Sequence, residues 1–148
     1  MARSRTRTSA WNGWNLSRVL ADGCFDPLHI GHIHYLAAAS TYGKPLIVQI
    51  APDEAILAKG RKPFQTRVER AMTIQCLDMV NMVRCYDSLA IAVLSECPAY
   101  LVKGAEWRGK LPADVLKACQ EAETEIIYTH TREKSSTERL LSSTESLR

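Results

Sequence analysis

The fold of this chain is decided by residues 23–32, Gly23-Cys24-Phe25-Asp26-Pro27-Leu28-His29-Ile30-Gly31-His32, which join a strand to a helix through a glycine turn. The apolar run before them, Ser17 to Gly23, predicts a short buried strand. After them, apolar residues recur at helical spacing until Tyr42-Gly43-Lys44-Pro45 ends the helix. Leu46 to Ile50 predicts a second strand. Because a helix connects the two strands, we expect a βαβ unit with parallel strands.

The rest of the chain repeats this alternation. A basic loop, Lys59 to Pro63, separates a short helix opened by Pro52-Asp53-Glu54 from a long amphipathic helix over residues 66–78. One apolar stripe runs along that helix, formed by Val68, Met72, Cys76 and Met79 or Val80. Further strands are predicted at 82–85, 99–102 and 125–128, and further helices at 88–95, 112–122 and 136–141. The pattern predicts a doubly wound, parallel-sheet α/β domain of the Rossmann type, which binds ligands at the carboxyl ends of its strands, near the topological switch point.

Length and composition indicate one compact domain. The chain has 148 residues, of which 46% are hydrophobic and 24% charged, and this suits a single core. We expect residues 17–148 to form the domain and residues 1–16 to be a flexible basic tail, which lacks the apolar stretch of a secretory signal. The longest purely apolar run, Leu89 to Leu94, is too short for a membrane span.

Charge and cysteine content narrow the function classes. Arg3, Arg5 and Arg7 account for the whole net charge of +3, so the domain itself is close to neutral. That balance disfavours nucleic acid as a partner. The five cysteines are scattered and form no CxxC pair, which argues against a disulfide framework and a cysteine zinc site. We therefore expect a cytoplasmic protein.

The turn after the first strand is suited to binding phosphate, because helix N–H groups and the positive end of the helix dipole point above it. His29 and His32 are three residues apart, so both rings can project to one side, whereas His34 points elsewhere. Two imidazoles can donate to oxygens that gain charge when a phosphorus is attacked, while Gly31 lets the phosphate approach the backbone. From spacing alone, a structural pair or a metal pair is equally consistent, although no zinc ligand stands at a conventional spacing.

The run GCFDPLHIGH resembles the GxFDxxHxGH signature of the cytidylyltransferase-like nucleotidyltransferases, which carry the HxGH motif. Three further segments resemble this superfamily in the right order: Arg67 to Arg70, Val102 to Trp107, and Arg132 to Thr137. The likeness covers residues 18–141. The chain is similar to the adenylyltransferase domain of ADP-heptose synthase and to glycerol-3-phosphate cytidylyltransferase. It departs from their usual apolar-Ser-Thr-Thr at residues 134–137, and it has Glu106 where Asp is common.

The resemblance implies transfer of a nucleoside monophosphate from ATP or CTP, with ATP slightly ahead, to a sugar phosphate or polyol phosphate. The reaction would proceed by direct in-line attack and release pyrophosphate. The resemblance also implies Mg²⁺ bound through the NTP, and a homodimer. Because an acceptor phosphate is already an anion near neutral pH, catalysis reduces to positioning and charge neutralisation. The alternative is a catalytically silent nucleotide-binding or regulatory module of the same fold.

The candidate site residues fall into three groups, with no metal ligands among them. The catalytic group is His29, His32, Lys59 and Arg70; the nucleotide-binding group is Gly23, Cys24, Phe25, Asp26, Gly31, Lys103, Gly104, Ser136 and Thr137; the acceptor-binding group is Lys62 and Trp107. Each loop lysine is equally consistent with a solvated charge, and Trp107 with a packing residue. Arg70 is assigned by the resemblance alone. Asp26 is expected to brace the turn, with a metal or phosphate-bridging role left open.

Overall fold

The computed structural model describes residues 17–130 and 136–145, with side chains to residue 142, so the predicted tail lies outside the described residues. The strands are β1 (Val19–Gly23), β2 (Leu46–Ile50), β3 (Met82–Arg84), β4 (Tyr100–Gly104) and β5 (Glu125–Thr129). The helices are α1 (Ile30–Ser40), α2 (Asp53–Leu57), α3 (Arg67–Gln75), α4 (Leu89–Glu96), α5 (Ala113–Ala122) and α6 (Ser136–Glu145), and a 3₁₀ helix (Ala105–Trp107) follows β4. Within these ranges, no helix has the length and apolar character needed to cross a bilayer.

The strands form one parallel sheet in the order β3-β2-β1-β4-β5, which confirms the predicted doubly wound fold. In the middle of the sheet, Ala21 of β1 lies between Val48 of β2 and Val102 of β4. From β1 the chain continues to β2 and β3 on one side of β1, and then crosses to β4 and β5 on the other side. The carboxyl ends of β1 and β4 are therefore the topological switch point, where such folds bind ligands.

Two apolar layers cover the two faces of the sheet, because successive side chains of a strand point to opposite faces. On one face Val19 and Ala21 pack with residues of α1 and α3. On the other face Leu20 packs with residues of α4 and α5. The switch point is therefore bordered by the start of α1 from one layer and by the starts of α4 and α5 from the other.

Helix α3 turns a different face to the core than its apolar pattern predicts, and it ends at Gln75 instead of Asp78. Within the helix the predicted stripe faces solvent, with Val68 67% and Met72 61% exposed. Met79 and Val80 lie beyond the helix end and pack against the core. The buried residues of the helix are Arg70 and Ile74. Arg70 finds hydrogen-bond acceptors inside the fold, and Ile74 lies one turn further along the same helix face. An apolar stripe usually faces the core, but in this helix the hydrogen bonds of Arg70 decide which face is buried.

Candidate active site

The turn after β1 packs on a phenylalanine. Phe25 adopts a left-handed backbone conformation, with φ 51°, which is uncommon for a residue with a side chain. Its buried ring lies against Gly23, where an added Cβ would come within 3.0 Å of the ring. The same ring meets His32 edge-on, with 5.0 Å between ring centroids. Packing therefore favours glycine at position 23, and the Phe25 ring contacts both Gly23 and His32.

The two histidines of the motif cap α1. His29 is the N-cap residue, and its Nδ1 accepts a hydrogen bond from the Gly31 N–H at 3.0 Å. His32 Nδ1 accepts from the His29 N–H at 3.2 Å, so the pair forms a reciprocal capping box. The rings are stacked, with 3.8 Å between centroids. A neutral imidazole whose Nδ1 accepts carries its proton on Nε2, so both neutral rings have an Nε2–H donor.

His32 is held in the neutral form. Burial lowers the pKa of His32, and repulsion between its protonated form and the protonated forms of His29, Lys59 and Arg139 lowers it further, to about 3. At neutral pH His32 is therefore a hydrogen-bond donor without a charge. His34 is exposed on α1 and does not line the site, as its spacing predicts.

A cavity of about 560 Å³ lies over the switch point, a size typical of small-molecule sites. It brings together most of the residues predicted from the sequence: Gly23, Cys24, Phe25, His29, Gly31, His32, Lys59, Lys103, Gly104, Trp107 and Ser136. Four predicted residues, Asp26, Lys62, Arg70 and Thr137, do not line it. The roles of the lining residues stay predictions, but their juxtaposition agrees with a single site.

The two loop lysines are distinguished by their positions. Lys59 lines the cavity, and its Nζ lies 3.6 Å from Cys24 Sγ at the turn. Lys62 is exposed and lies outside the cavity, and its carbonyl accepts from Arg61 at 3.2 Å. Of the two lysines, Lys59 is therefore the one placed to contact a ligand in the cavity.

Arg70 lies beneath the site rather than in it. Its side chain is fully buried, and Nη1 donates to the carbonyl oxygens of Cys24 and Ala51, at 2.9 Å each. Nη2 donates to Asp53 Oδ1 at 2.7 Å. The guanidinium thus ties the loops that follow β1 and β2 together. Three of its five N–H groups are directed at these protein acceptors, and Arg70 does not line the cavity. The substrate contact that the resemblance implies for Arg70 stays a prediction.

Asp26 ties the turn to the loop between α2 and α3. Its carboxylate is fully buried and accepts from the backbone N–H groups of Phe64 and Gln65, at 2.8 and 2.7 Å, and from Arg61 Nη1 at 2.7 Å. Burial opposes ionisation of Asp26, but the hydrogen bonds from Phe64, Arg61 and Gln65 outweigh it, and the pKa lies below its usual value. Three protein donors leave this carboxylate little capacity for a metal or a phosphate bridge.

Lys103, at the end of β4, borders the cavity from inside the fold. Its side chain is 6% exposed and forms an ion pair with Asp22, the residue before Gly23. Its Nζ also lies 4.5 Å from the centre of the Trp107 ring, a favourable cation–π arrangement. The ammonium group has three N–H donors, so the bond to Asp22 leaves donors for a ligand.

Asp22 and Tyr35 belong to the site but were missed by sequence reasoning. Both line the cavity. The Tyr35 hydroxyl donates to the Val102 carbonyl and accepts from the Asp22 N–H, and burial raises the pKa of Tyr35 well above its usual value. Two signals were available: Asp22 is a carboxylate at the carboxyl end of a central strand, and Tyr35 lies one helical turn after Gly31.

The start of α6 closes another side of the site. Ser136 is 8% exposed and lines the cavity, and its hydroxyl donates to the Pro27 carbonyl at 2.7 Å. Thr137 Oγ1 accepts from Arg61 Nε at 3.0 Å instead of facing the cavity. The unusual Lys134-Ser135 pair lies outside the described residues.

The wall opposite the histidines is mainly apolar. Leu89 begins α4, and Leu111 and Val115 flank the start of α5. The cavity thus has one end rich in donors and cations and another suited to a ring or an alkyl group. Among residues 17–130 and 136–145, no group of three or more His, Cys, Asp or Glu side chains is arranged to hold a metal ion.

Comparison with known proteins identifies the class of this fold and site. The family model for cytidylyltransferase-like proteins matches residues 20–146. The chain belongs to the cytidylyltransferase-like family, and its sequence relatives are nucleotidyltransferases.

Two sequence relatives and one solved structure are similar to the chain. Bifunctional protein HldE of Geobacter metallireducens is 34% identical over 106 residues, which make up 68% of this chain and 22% of that protein. FAD synthase of Thermococcus onnurineus is 45% identical over 67 residues, 45% of either chain. The lipopolysaccharide core biosynthesis protein of Thermoplasma volcanium GSS1 superposes with a TM-score of 0.68 at 25% identity, over 79% of this chain and 98% of that one. The chain thus spans about a fifth of HldE and less than half of FAD synthase.

Proposed function

We propose that the chain is a nucleotidyltransferase that transfers a nucleoside monophosphate from an NTP, with ATP preferred, to a phosphorylated small molecule and releases pyrophosphate. The observation that carries the proposal is the pair His29 and His32, which cap the start of α1 through Nδ1 and line the cavity at the switch point. The family supports nucleotidyl transfer. The likeness to FAD synthase, whose product contains an adenylyl group, favours ATP.

In this proposal an oxygen of the acceptor phosphate attacks the α-phosphorus. The bond from that phosphorus to the bridging oxygen breaks, and its electron pair leaves with pyrophosphate. Since the acceptor phosphate is already an anion, no general base is required. His29 and His32 donate to oxygens of the α- and β-phosphates as charge grows there, and Lys59 neutralises the β- and γ-phosphates. A donor of this kind is worth about 3 kcal/mol in well-studied sites.

Mg²⁺ bound through the NTP would neutralise charge on the leaving pyrophosphate. Asp22 is ion-paired with Lys103, and the Asp26 carboxylate accepts three hydrogen bonds. The carboxylates of Glu106 and Asp114 line the cavity and suit ligation through water. The donor set thus fits a metal brought by the nucleotide rather than a resident one.

The remaining parts of the substrates are assigned by position. Lys103 and Gly104 end β4, Trp107 lies just after it, and these residues suit the base and ribose. Ser136 at the start of α6 suits the triphosphate tail. The apolar wall around Leu89 accommodates the part of a substrate that carries no phosphate. Sugar and polyol phosphates are the acceptors implied by the resemblance.

A pyrophosphate-release assay with Mg²⁺ tests the proposal. ATP, CTP, GTP and UTP are each combined with sugar phosphates, polyol phosphates and riboflavin 5′-phosphate. We expect release with at least one pair, fastest with ATP, and strongly reduced release by the His32→Asn variant. Asparagine can accept at the position of Nδ1 but lacks the Nε2–H donor.

Calorimetric titration with ATP and CTP separates the alternatives. Binding without release for any acceptor would favour a silent nucleotide-binding module. The absence of both nucleotide binding and pyrophosphate release would refute the proposal.

A further inference from the structure

Arg61 lies where three separate segments of the proposed triphosphate site meet. The first segment is the turn after β1, which leads into His29 and His32. The second is the loop between α2 and α3, which carries Lys59. The third is the start of α6, with Ser136. Each segment contributes residues that line the cavity.

The Arg61 side chain contacts all three segments. Its Nη1 donates to Asp26 Oδ2 at 2.7 Å, and its Nη2 donates to the Asp26 carbonyl at 2.6 Å. Its Nε donates to Thr137 Oγ1 at 3.0 Å, and Nη1 also reaches the carbonyl of Lys62 in its own loop. The side chain is 12% exposed and borders the cavity. One guanidinium therefore holds the loop and α6 against the turn.

Asp26 strengthens this attachment, because its three carboxylate donors all come from residues 61–65. The loop wraps around one buried carboxylate, and Lys59 stands two residues before the first donor. Without the guanidinium, the buried Asp26 carboxylate would have fewer hydrogen bonds to offset its desolvation. The loop should then be held less tightly against the turn. Lys59 would then no longer be held at the turn.

The hydrogen bonds of Arg61 indicate whether its guanidinium holds protein segments together or binds a substrate. A guanidinium has five N–H donors, and four of them are directed at Asp26, Lys62 and Thr137. At most one N–H remains for a substrate. We propose that Arg61 is a positioning residue, which keeps the three phosphate-contacting segments in register. Its kinetic consequence rests on the proposed function, whereas its structural consequence rests on the contacts alone.

Kinetics of Arg61→Lys and Arg61→Ala test the functional part. We expect kcat/KM for the NTP to fall by on the order of a hundredfold, through a higher KM, because misplaced ligands weaken a preorganised site. The KM for the acceptor should change little. Added guanidinium should partly restore Arg61→Ala. Lys117→Ala removes a 76% exposed cation that does not line the cavity, and it should behave as the wild type.

Hydrogen exchange tests the structural part without turnover. The Phe64 and Gln65 amides, which donate to Asp26, should exchange faster in both Arg61 variants than in the wild type and Lys117→Ala. Thr137→Val removes only the hydrogen bond between Arg61 and α6. It should raise the KM for the NTP less than the Arg61 variants do, and it should leave these two amides protected. It supplies a milder variant if Arg61→Ala does not fold.

The outcomes distinguish the two proposals. A wild-type protein without turnover would defeat the proposed function, while amide exchange would still decide the role of Arg61. Wild-type KM and exchange in Arg61→Ala would overturn the positioning role. A lower kcat with unchanged KM and exchange would overturn it as well, because Arg61 would then act on the transition state.

Discussion

Lowering the pH from 7.5 to 5 should destabilise the folded protein by about 2 kcal/mol through His32 alone. The pKa of His32 falls from 6.5 to about 3 on folding, so the unfolded chain takes up the proton first as the pH drops. Stability from a depressed histidine pKa is complete above the unfolded value and is lost as the pH falls toward the folded value. At pH 5 the unfolded ring is almost fully protonated and the folded ring is neutral, which gives the stated magnitude.

Urea unfolding of the wild type and His32→Asn at pH 7.5, 6 and 5 measures this contribution. The asparagine oxygen can accept the His29 N–H but does not titrate, so other groups contribute equally to both proteins. The wild type should lose about 2 kcal/mol more than the variant over this range. The ring resonance of His32 in NMR spectra should stay unchanged down to about pH 4. Bound ATP should then raise its pKa, because phosphate favours the imidazolium.

Two results would refute the reasoning. One is an equal loss of stability in the two proteins as the pH falls. The other is a His32 resonance that titrates near 6.5, the ordinary value. Either would show that the ring is not held as a neutral donor, and the role of its Nε2–H in the proposed reaction would have to be reassigned.

Three further predictions concern the histidine pair, the turn and association. His32→Ala should lower kcat by on the order of a hundredfold with little change in the KM for the NTP, whereas His34→Ala should stay close to the wild type in the same pyrophosphate assay. Gly23→Ala should cost about 1–3 kcal/mol, seen in thermal unfolding, because the new Cβ meets the Phe25 ring at 3.0 Å. Light scattering at micromolar concentration should show the homodimer that the resemblance implies, and a monomer would contradict it.

Local signals in the sequence were enough to predict most of the fold. The strand Leu46–Ile50 has the predicted bounds, because an uninterrupted apolar run follows Gly43 and Pro45. The histidine spacing indicated that both rings share one side of the helix start, and the stacked rings confirm it. These features depend on residues close in sequence, where helix and turn geometry are predictable.

Long-range pairs could not be predicted in this way. Arg61 reaches Asp26 across 35 positions and Thr137 across 76, and Lys103 reaches Asp22 across 81. Spacing along the chain carries no information about such partners. Arg70 shows the same limit, since hydrophobicity ranks arginine as a surface residue and only the folded chain brings its carbonyl acceptors together. Because α3 buries the face that carries Arg70, its apolar residues Val68 and Met72 are left exposed.

The capping box formed by His29 and His32 constrains how this chain can diverge. Each ring supplies an acceptor to the first turn of α1, so a lineage that lost catalysis would still need the cap. Replacement of the N-cap His29 by alanine would remove about 1 kcal/mol of helix stabilisation, whereas serine, aspartate or asparagine would retain it. At the N3 position of His32, glutamate or glutamine would complete the box. Descendants without turnover are therefore expected to carry polar capping residues at these two positions, and such residues would serve as a marker of lost activity.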